Sequence, residues 1–508
     1  MHNKKLLLIF IILIGVIVYG NSLKGALFWD DEVTVTNNVF ITNPVKYLSE
    51  IFTAPYYNGL GETHNAYRPL ATLSLGLDYR IWKLNPVGYH LFNVILHILN
   101  SIIIFFILNR LFKNYKLSFI SALLFLVHPV NSEAVNYVSN RPVLLMLFFF
   151  LAAFYSYLLY RQKEKLIFLP LACILYICSI LSKEMGLVFW VFVLIYEFIF
   201  FNPSAETPGF KSGDECDVAS GGSPNLDKGG STQKRKIFPL LGFAIISFVY
   251  LTLRVTSLYL PKINLFIQGA QRVSYSRELL LRLLVFAKIC LYYLKLFFLP
   301  FGLRMDYSAP VVKSFLDPGA WLALISLVSL GVIIFYLGKK KEEVNFGGLW
   351  FIAGLIPVSG LIPINRVMSE HYLYLASAGF FILITCAALD IWKKATHLSR
   401  PFIFSLGLAI LIGLCILTFS RNRVWQDPLK IYFEVIENTK YSFRAYNNIG
   451  VESLRRGNLK LAEKYLLRSL EASPAYAPAL NNLGVVYEKK VNLLQAESFY
   501  LRSVVSDP

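Results

Sequence analysis

Three consecutive carboxylates, Asp30-Asp31-Glu32, follow the aromatic pair Phe28-Trp29, a short way beyond an almost wholly apolar run from Leu6 to Tyr19. Carboxylates held at a bilayer surface have the chemistry of a general base working on an acceptor whose donor is a lipid. Three more polar clusters interrupt the apolar sequence. His128-Pro129 leads to Glu133 and then to Asn140-Arg141; Lys183-Glu184 stands between two apolar runs; Asn365-Arg366 precedes Glu370-His371-Tyr372. Each cluster alone has a plain structural explanation as a solvated turn, a helix cap, an interfacial ion pair or a contact with lipid headgroups. Gathered on one membrane face, acids with Lys and Arg would suit a phosphorylated lipid donor and a hydroxyl acceptor.

The composition requires a membrane. Of 508 residues, 56% are hydrophobic and only 16% charged, with a mean hydropathy of +0.55; a soluble chain carries about 25% charged residues. The apolar residues fall into runs of roughly 17–25, long enough to span a bilayer core. The net charge of +18 is clustered between those runs, at Lys4-Lys5, Arg110 to Lys116, Arg161 to Lys165, Lys234-Arg235-Lys236, Lys339 to Lys341 and Lys393-Lys394. Such clustering is the positive-inside pattern. No basic face interleaved with aromatics occurs, so the charge does not indicate nucleic acid. Five of the six cysteines lie inside apolar segments and no CxxC or Cys/His ligand spacing is present, so neither a disulfide framework nor a zinc site is supported.

Threading the chain by these clusters predicts eleven crossings. The first, about 5–20, leaves a basic cytoplasmic end as a retained anchor and delivers the acidic triplet outside. Arg68-Pro69-Leu70 opens an amphipathic interfacial stretch to Trp82. Later crossings fall at about 88–109, 117–128, 142–160, 166–181, 186–201, 237–257, 319–338, 347–364, 372–391 and 402–420. Residues 202–236 are rich in Gly, Ser, Asp and Lys and are expected to form a disordered cytoplasmic loop. The apolar stretch 280–300 carries Arg282, Lys288 and Lys295 and is placed along the interface, which keeps every later basic cluster inside.

Beyond Arg421 the composition becomes that of a soluble helical region. Residues 443–476 and 477–508 align as two copies of a 34-residue unit: Asn447-Asn448-Ile449-Gly450 with Asn481-Asn482-Leu483-Gly484, Ala462 with Ala496, Arg468-Ser469 with Arg502-Ser503, and Pro474 with Pro508. That period resembles tetratricopeptide repeats, although Val491 stands at the turn where the first copy has Gly457. The fold class expected is all-α: a polytopic membrane domain over 1–421 and a repeat α-solenoid over 422–508.

Arg68-Pro69-Leu70, Gly88-Tyr89-His90-Leu91-Phe92-Asn93 with His97 and Asn100, His128-Pro129 with Glu133-Ala134-Val135, and Lys183-Glu184 occur in that order. Glu370-Tyr372-Leu373-Tyr374 and Arg421-Asn422 then precede the repeats. Together they resemble the transmembrane and tetratricopeptide repeat-containing O-mannosyltransferases and their bacterial relatives, GT-C glycosyltransferases related to the protein O-mannosyltransferases. The resemblance covers the chain except 202–236, and His371 stands where relatives commonly have Arg.

The resemblance implies transfer of a mannose-like sugar from a polyprenyl- or dolichyl-phosphate donor to a protein Ser/Thr hydroxyl on the non-cytoplasmic face, with inversion. It implies that the acidic pair acts near the acceptor, with Asp31 favoured as base, Asp30 the close alternative and Glu32 beside them. Arg141, Lys183 and Arg366 are then expected at the lipid phosphate, and Glu133, Glu184, Glu370 and His128 as acceptor-binding or orienting groups. The lipid-phosphate sugar is a co-substrate; the resemblance points to no metal, although three adjacent carboxylates could hold a divalent ion. Partners expected are membrane lipids and an acceptor protein, which the repeats could hold. The membrane is the bacterial inner membrane, or the endoplasmic reticulum in a eukaryote. The alternatives are a GT-C enzyme that glycosylates a lipid or glycan, and a non-catalytic scaffold that displays repeats.

Overall fold

A computed structural model describes residues 2–56, 66–163, 165–201, 238–256, 279–307, 310, 312, 314–339, 341–361, 366–439 and 442–506. The expected loop 202–236 lies outside them, as do Asn365 and Pro508. Among the described residues every regular element is helical.

Helix starts are written locally. Asn85-Pro86, Asp317-Pro318 and Asp427-Pro428 each place a capping side chain before a proline at the first helical position. The cap oxygen accepts an otherwise orphaned backbone N–H, and proline gives up an N–H that had no partner.

Among the described residues six helical stretches are long and apolar enough to cross a membrane: Lys4–Lys24, Pro86–Phe112, Val138–Lys163, Pro318–Gly338, Glu370–Lys394 and Arg400–Trp425. A seventh is counted if Tyr115–Val127 and Pro129–Asn136, bent by 55° at Pro129, form one broken span; Phe168–Ser182 and Pro239–Arg254 are shorter apolar helices. The protein is therefore a multi-pass membrane protein. Pro318–Gly338 and Arg400–Trp425 leave most of their apolar surface outside the bundle, as lipid-facing helices do. The stretch expected along the interface forms the helix Leu279–Phe298, which turns Cys290, Tyr293 and Phe297 into the bundle while Lys288 pairs with Asp317 at 2.8 Å.

The core is packed with aromatic side chains. Phe150 meets Phe192 edge-on at 4.8 Å, Tyr176 stacks on Phe189 at 4.8 Å, and Trp350 lies against Phe192 at 4.6 Å. The two ends of the bundle differ. At one, the basic clusters meet a few acids: Arg161 is held by Glu197 at 2.6 and 3.0 Å, and Lys341 pairs with Asp390.

At the other end, polar side chains tie helix termini together. Thr418 Oγ1 donates to the Val127 carbonyl (2.6 Å), Asn136 Nδ2 to Asn422 Oδ1 (2.7 Å), Asn422 Nδ2 to the Val18 carbonyl (2.9 Å) and Asn93 Nδ2 to the Val135 carbonyl (3.1 Å). All four polar clusters read from the sequence converge on this end.

Five helices follow the last apolar helix: Pro428–Asn438, Phe443–Arg455, Leu459–Ala472, Ala477–Lys489 and Leu493–Ser506. Gly450 and Gly484 are required by close approach, because a Cβ there would strike Leu466 and Tyr500 of the following helix. Asn482 donates to Asn447 at 3.0 Å, joining the first helices of the two copies. Gly457 turns between helices at φ +75°, and Val491 adopts φ +61° at the matching turn, a conformation that a β-branched residue reaches only with strain.

Candidate active site

The site is assembled by the acidic turn, the segment 128–141, the Lys183-Glu184 corner and the segment 366–372. The triplet does not act as one acidic patch, because its three carboxylates diverge. Trp29 sits at φ +57°, and beyond it Asp30 and Asp31 open a helical turn that runs on into Glu32–Asn37, so successive side chains point to different neighbours.

Asp31 is wholly buried. Its Oδ1 accepts the Ser139 backbone N–H at 2.6 Å and the Ser139 hydroxyl at 2.5 Å, while its buried Oδ2 makes no hydrogen bond. Burial pushes this carboxyl up to about 8, against the Ser139 bonds that favour the anion, and the neighbouring Asp30 adds to the rise. Asp30 is half-buried, and its backbone N–H donates to the Tyr137 hydroxyl at 3.1 Å. Glu32 turns away and pairs with Arg455 of the helix Phe443–Arg455.

Arg366 faces Asp30. Burial opposes its charge, but Asp30, then Tyr137, Asp306 and Glu133, outweigh that and hold the guanidinium above its ordinary pKa. Lys183 is buried, with its ammonium 5.9 Å from the Tyr372 ring. Burial first, then the Arg68 guanidinium, bring its pKa down to about 7 despite Glu184 and Glu133. Glu184 itself is bridged by Arg68 at 3.3 Å.

Glu133 is the hub. Its carboxylate accepts His371 Nδ1 at 2.7 Å, the His371 backbone N–H at 3.0 Å and the Ser369 hydroxyl at 3.0 Å, with Asn140 Nδ2 at 3.3 Å. It therefore fixes the segment that presents Arg366. Glu370 is buried and accepts the Arg304 N–H at 2.5 Å and the Tyr307 hydroxyl.

Two expected site residues are engaged elsewhere. Arg141 is fully buried and bonds Asp78 at 2.5 Å, Asn93 at 2.6 Å and the Tyr89 carbonyl at 2.8 Å, over the Phe92 ring. Those contacts tie the helix Pro69–Trp82 to Pro86–Phe112. His128 directs Nε2 to the Phe297 carbonyl at 3.0 Å and Nδ1 to the Val130 N–H at 3.2 Å, so both ring nitrogens serve backbone. Sequence reasoning passed over Ser139, Tyr137, Asp306 and Ser369. Tyr137 and Ser139 lie between two segments already singled out, 128–135 and 140–141, and Ser369 lies inside the cluster 366–372.

The sequence profile described as dolichyl-phosphate-mannose-protein mannosyltransferase matches residues 51–202. The human protein O-mannosyl-transferase TMTC3 is 27% identical over 91% of this chain and 51% of its own length. The mouse protein O-mannosyl-transferase TMTC1 is 25% identical over 91% and 57%, and the Caenorhabditis elegans protein O-mannosyl-transferase F38B6.6 is 26% identical over 92% and 63%. The chain thus spans about half to under two-thirds of the length of these relatives. Among solved structures, an Archaeoglobus fulgidus oligosaccharyltransferase complexed with Zn and sulfate superposes with a TM-score of 0.45 at 14% identity, over 86% of this chain and 56% of that one. The archaeal oligosaccharyltransferase AglB from the same organism, in complex with an inhibitory peptide and a dolichol-phosphate, gives 0.44 at 14% identity, over 86% and 59%.

Proposed function

We propose, from the premise that this chain is a member of the protein O-mannosyl-transferase family, that it transfers a mannose-type sugar from a polyprenyl-phosphate donor to a protein Ser or Thr hydroxyl. The membrane part is read as a GT-C domain of eleven crossings, followed by a tetratricopeptide repeat array. The site end and the array are assigned to the non-cytoplasmic side, because the basic clusters gather at the opposite end of the bundle. A reporter fused after Arg421 that localised to the cytoplasm would overturn that orientation.

The observation that carries the reading is the half-buried Asp30, tied through its backbone N–H to the Tyr137 hydroxyl, together with the nearby Arg366, whose charge its carboxylate supports. In the reaction, the acceptor oxygen attacks the anomeric carbon as the bond from that carbon to the phosphate oxygen breaks. The hydroxyl proton passes to a carboxylate, and the departing lipid phosphate keeps the bonding electrons. A single displacement inverts the anomeric centre. Asp30 is favoured as the base because it is half-exposed, whereas a substrate cannot touch Asp31 without displacing the segment that carries Ser139. Asp31 is the second reading, through its unpartnered Oδ2. Arg366 and Lys183 would stabilise charge growing on the leaving phosphate. Glu133 orients the 369–371 segment, Glu184 aligns Arg68 beside Lys183, and Arg141 holds the scaffold.

The test is sugar transfer from a defined polyprenyl-phosphate mannose to acceptor peptides in membranes, comparing wild type with Asp30→Asn and Asp31→Asn. Loss of about a hundredfold or more in Asp30→Asn is expected for a general base. Full activity in both variants would remove the triplet from the chemistry.

A further inference from the structure

The acidic turn is held from outside the membrane domain. Trp29, the residue with φ +57° that precedes Asp30, packs its ring on Tyr432 at 5.5 Å. Tyr432 lies on the helix Pro428–Asn438, between the last apolar helix and the repeated pairs. Phe28 is buried among Tyr137, Trp425 and the same Tyr432, at 5.9, 6.0 and 5.9 Å. Three residues after Trp29, Glu32 pairs with Arg455, the last residue of the helix Phe443–Arg455. Both flanks of Asp30-Asp31 are therefore gripped by the C-terminal helices.

We propose that Arg455 and Tyr432 are positioning residues for the transfer reaction: Arg455 through Glu32 and Tyr432 through Trp29, they hold the acidic turn in its working register. The proposal rests on the glycosyl-transfer reading given above. Its physical basis is a non-glycine residue in the left-handed region, which persists only where its surroundings over-determine it. Ser139 and Tyr137 grip the turn from the membrane side, and the C-terminal helices supply the opposite grip. The Glu32–Arg455 pair is itself substantially exposed, with side chains 32% and 54% accessible, so it contributes little to global stability. What it fixes is direction. Arg455 also approaches Glu452 at 3.8 Å, which keeps its guanidinium near this site when the turn moves. A segment bound along the repeated helices would thus act on the same scaffold that aims Asp30.

The test uses the full chain in membranes with a polyprenyl-phosphate mannose donor and an acceptor peptide. Arg455→Ala is expected to lower kcat by about tenfold to a hundredfold, the scale of a misplaced reacting group, with donor KM and thermal unfolding unchanged. Arg455→Lys should recover part of the loss. The exchanged pair Glu32→Arg with Arg455→Glu should recover more than either single change. In parallel, hydrogen exchange at 28–34 should quicken in Arg455→Ala and in Tyr432→Ala, and slow again in the exchanged pair. Wild-type exchange and wild-type kcat in Arg455→Ala would overturn the proposal, as would a change in acceptor KM alone. If wild type transfers no sugar while exchange responds as stated, the activity reading fails and the positioning contact stands.

Discussion

Ser139 donates both its backbone N–H and its hydroxyl to one carboxylate oxygen of Asp31, at 2.6 and 2.5 Å. A residue in the loop before the helix Arg141–Lys163 thereby fixes a turn more than a hundred positions earlier. Ser139→Ala removes the hydroxyl donor and keeps the N–H. Asp31 keeps its proton at neutral pH, so the bond lost is one between neutral groups, worth about 0.5–1.5 kcal/mol, and here the cost falls on the turn. Transfer is expected to drop about tenfold, with the bundle still folded by thermal unfolding. Unchanged transfer would show that Asp31 needs no brace from Ser139.

The two carboxylates are separated by the sign of a pH effect. Burial lifts Asp31 to about 8, so the folded protein keeps a proton that the unfolded chain releases near pH 4. The stability this group contributes is full below about pH 4 and is lost as pH rises towards 8. Protonated Asp31 acting as an anchor predicts kcat/KM falling as pH rises through about 8, when a second negative charge forms beside Asp30. Asp31 acting as the base predicts the opposite, a rise through the same pH. A pH profile of wild type beside Asp31→Asn decides between them, because the limb near pH 8 belongs to Asp31 only if the variant lacks it.

Arg141 and Arg366 are both arginines beside acids, yet their replacement should differ in kind. Arg141 is enclosed with Asp78, and Arg141→Ala leaves a carboxylate shut in without its partner. Breaking a buried pair in this way costs about 3–5 kcal/mol, so lower yield and a lower unfolding temperature are expected. Adding Asp78→Ala should return part of that loss. Arg366→Ala should fold normally and lose transfer. An Arg141→Ala protein of wild-type stability would return Arg141 to the list of phosphate ligands.

Much of the framework was legible because the bilayer imposes it. Run length and the placement of lysine and arginine marked the membrane helices, and the 34-residue spacing marked the paired helices that follow. The convergence of the four polar clusters on one end also followed from alternating the crossings. What the sequence could not carry was the direction of side chains within a cluster. Asp30, Asp31 and Glu32 read as one patch, but on consecutive helical residues their side chains diverge, so Asp31 meets Ser139 and Glu32 meets Arg455 while Asp30 stays half-buried. Arg141 is expected from the sequence at the lipid phosphate, whereas Asp78, on the stretch read as amphipathic, closes over it. Tertiary partners from distant sequence decide both cases, and no local spacing encodes them.

Lys183 makes the last prediction, because its charge is conditional. Burial and the Arg68 guanidinium lower its pKa to about 7, so the free protein loses that positive charge as pH passes through neutrality. The donor's phosphodiester monoanion at this corner favours the ammonium form, and binding should then take up a proton above pH 7. Donor KM in wild type is expected to rise about tenfold between pH 6 and 8, the scale of one charge-assisted hydrogen bond lost. Arg366 keeps its charge throughout and sets the floor of that curve. Lys183→Arg, charged at every accessible pH, should flatten it, and Lys183→Met should hold KM at the high-pH value across the range. Kinetics at fixed acceptor peptide, with varied polyprenyl-phosphate mannose, give the three curves. A donor KM in wild type that stays level from pH 6 to 8 removes Lys183 from the phosphate and leaves Arg366 as its principal cation.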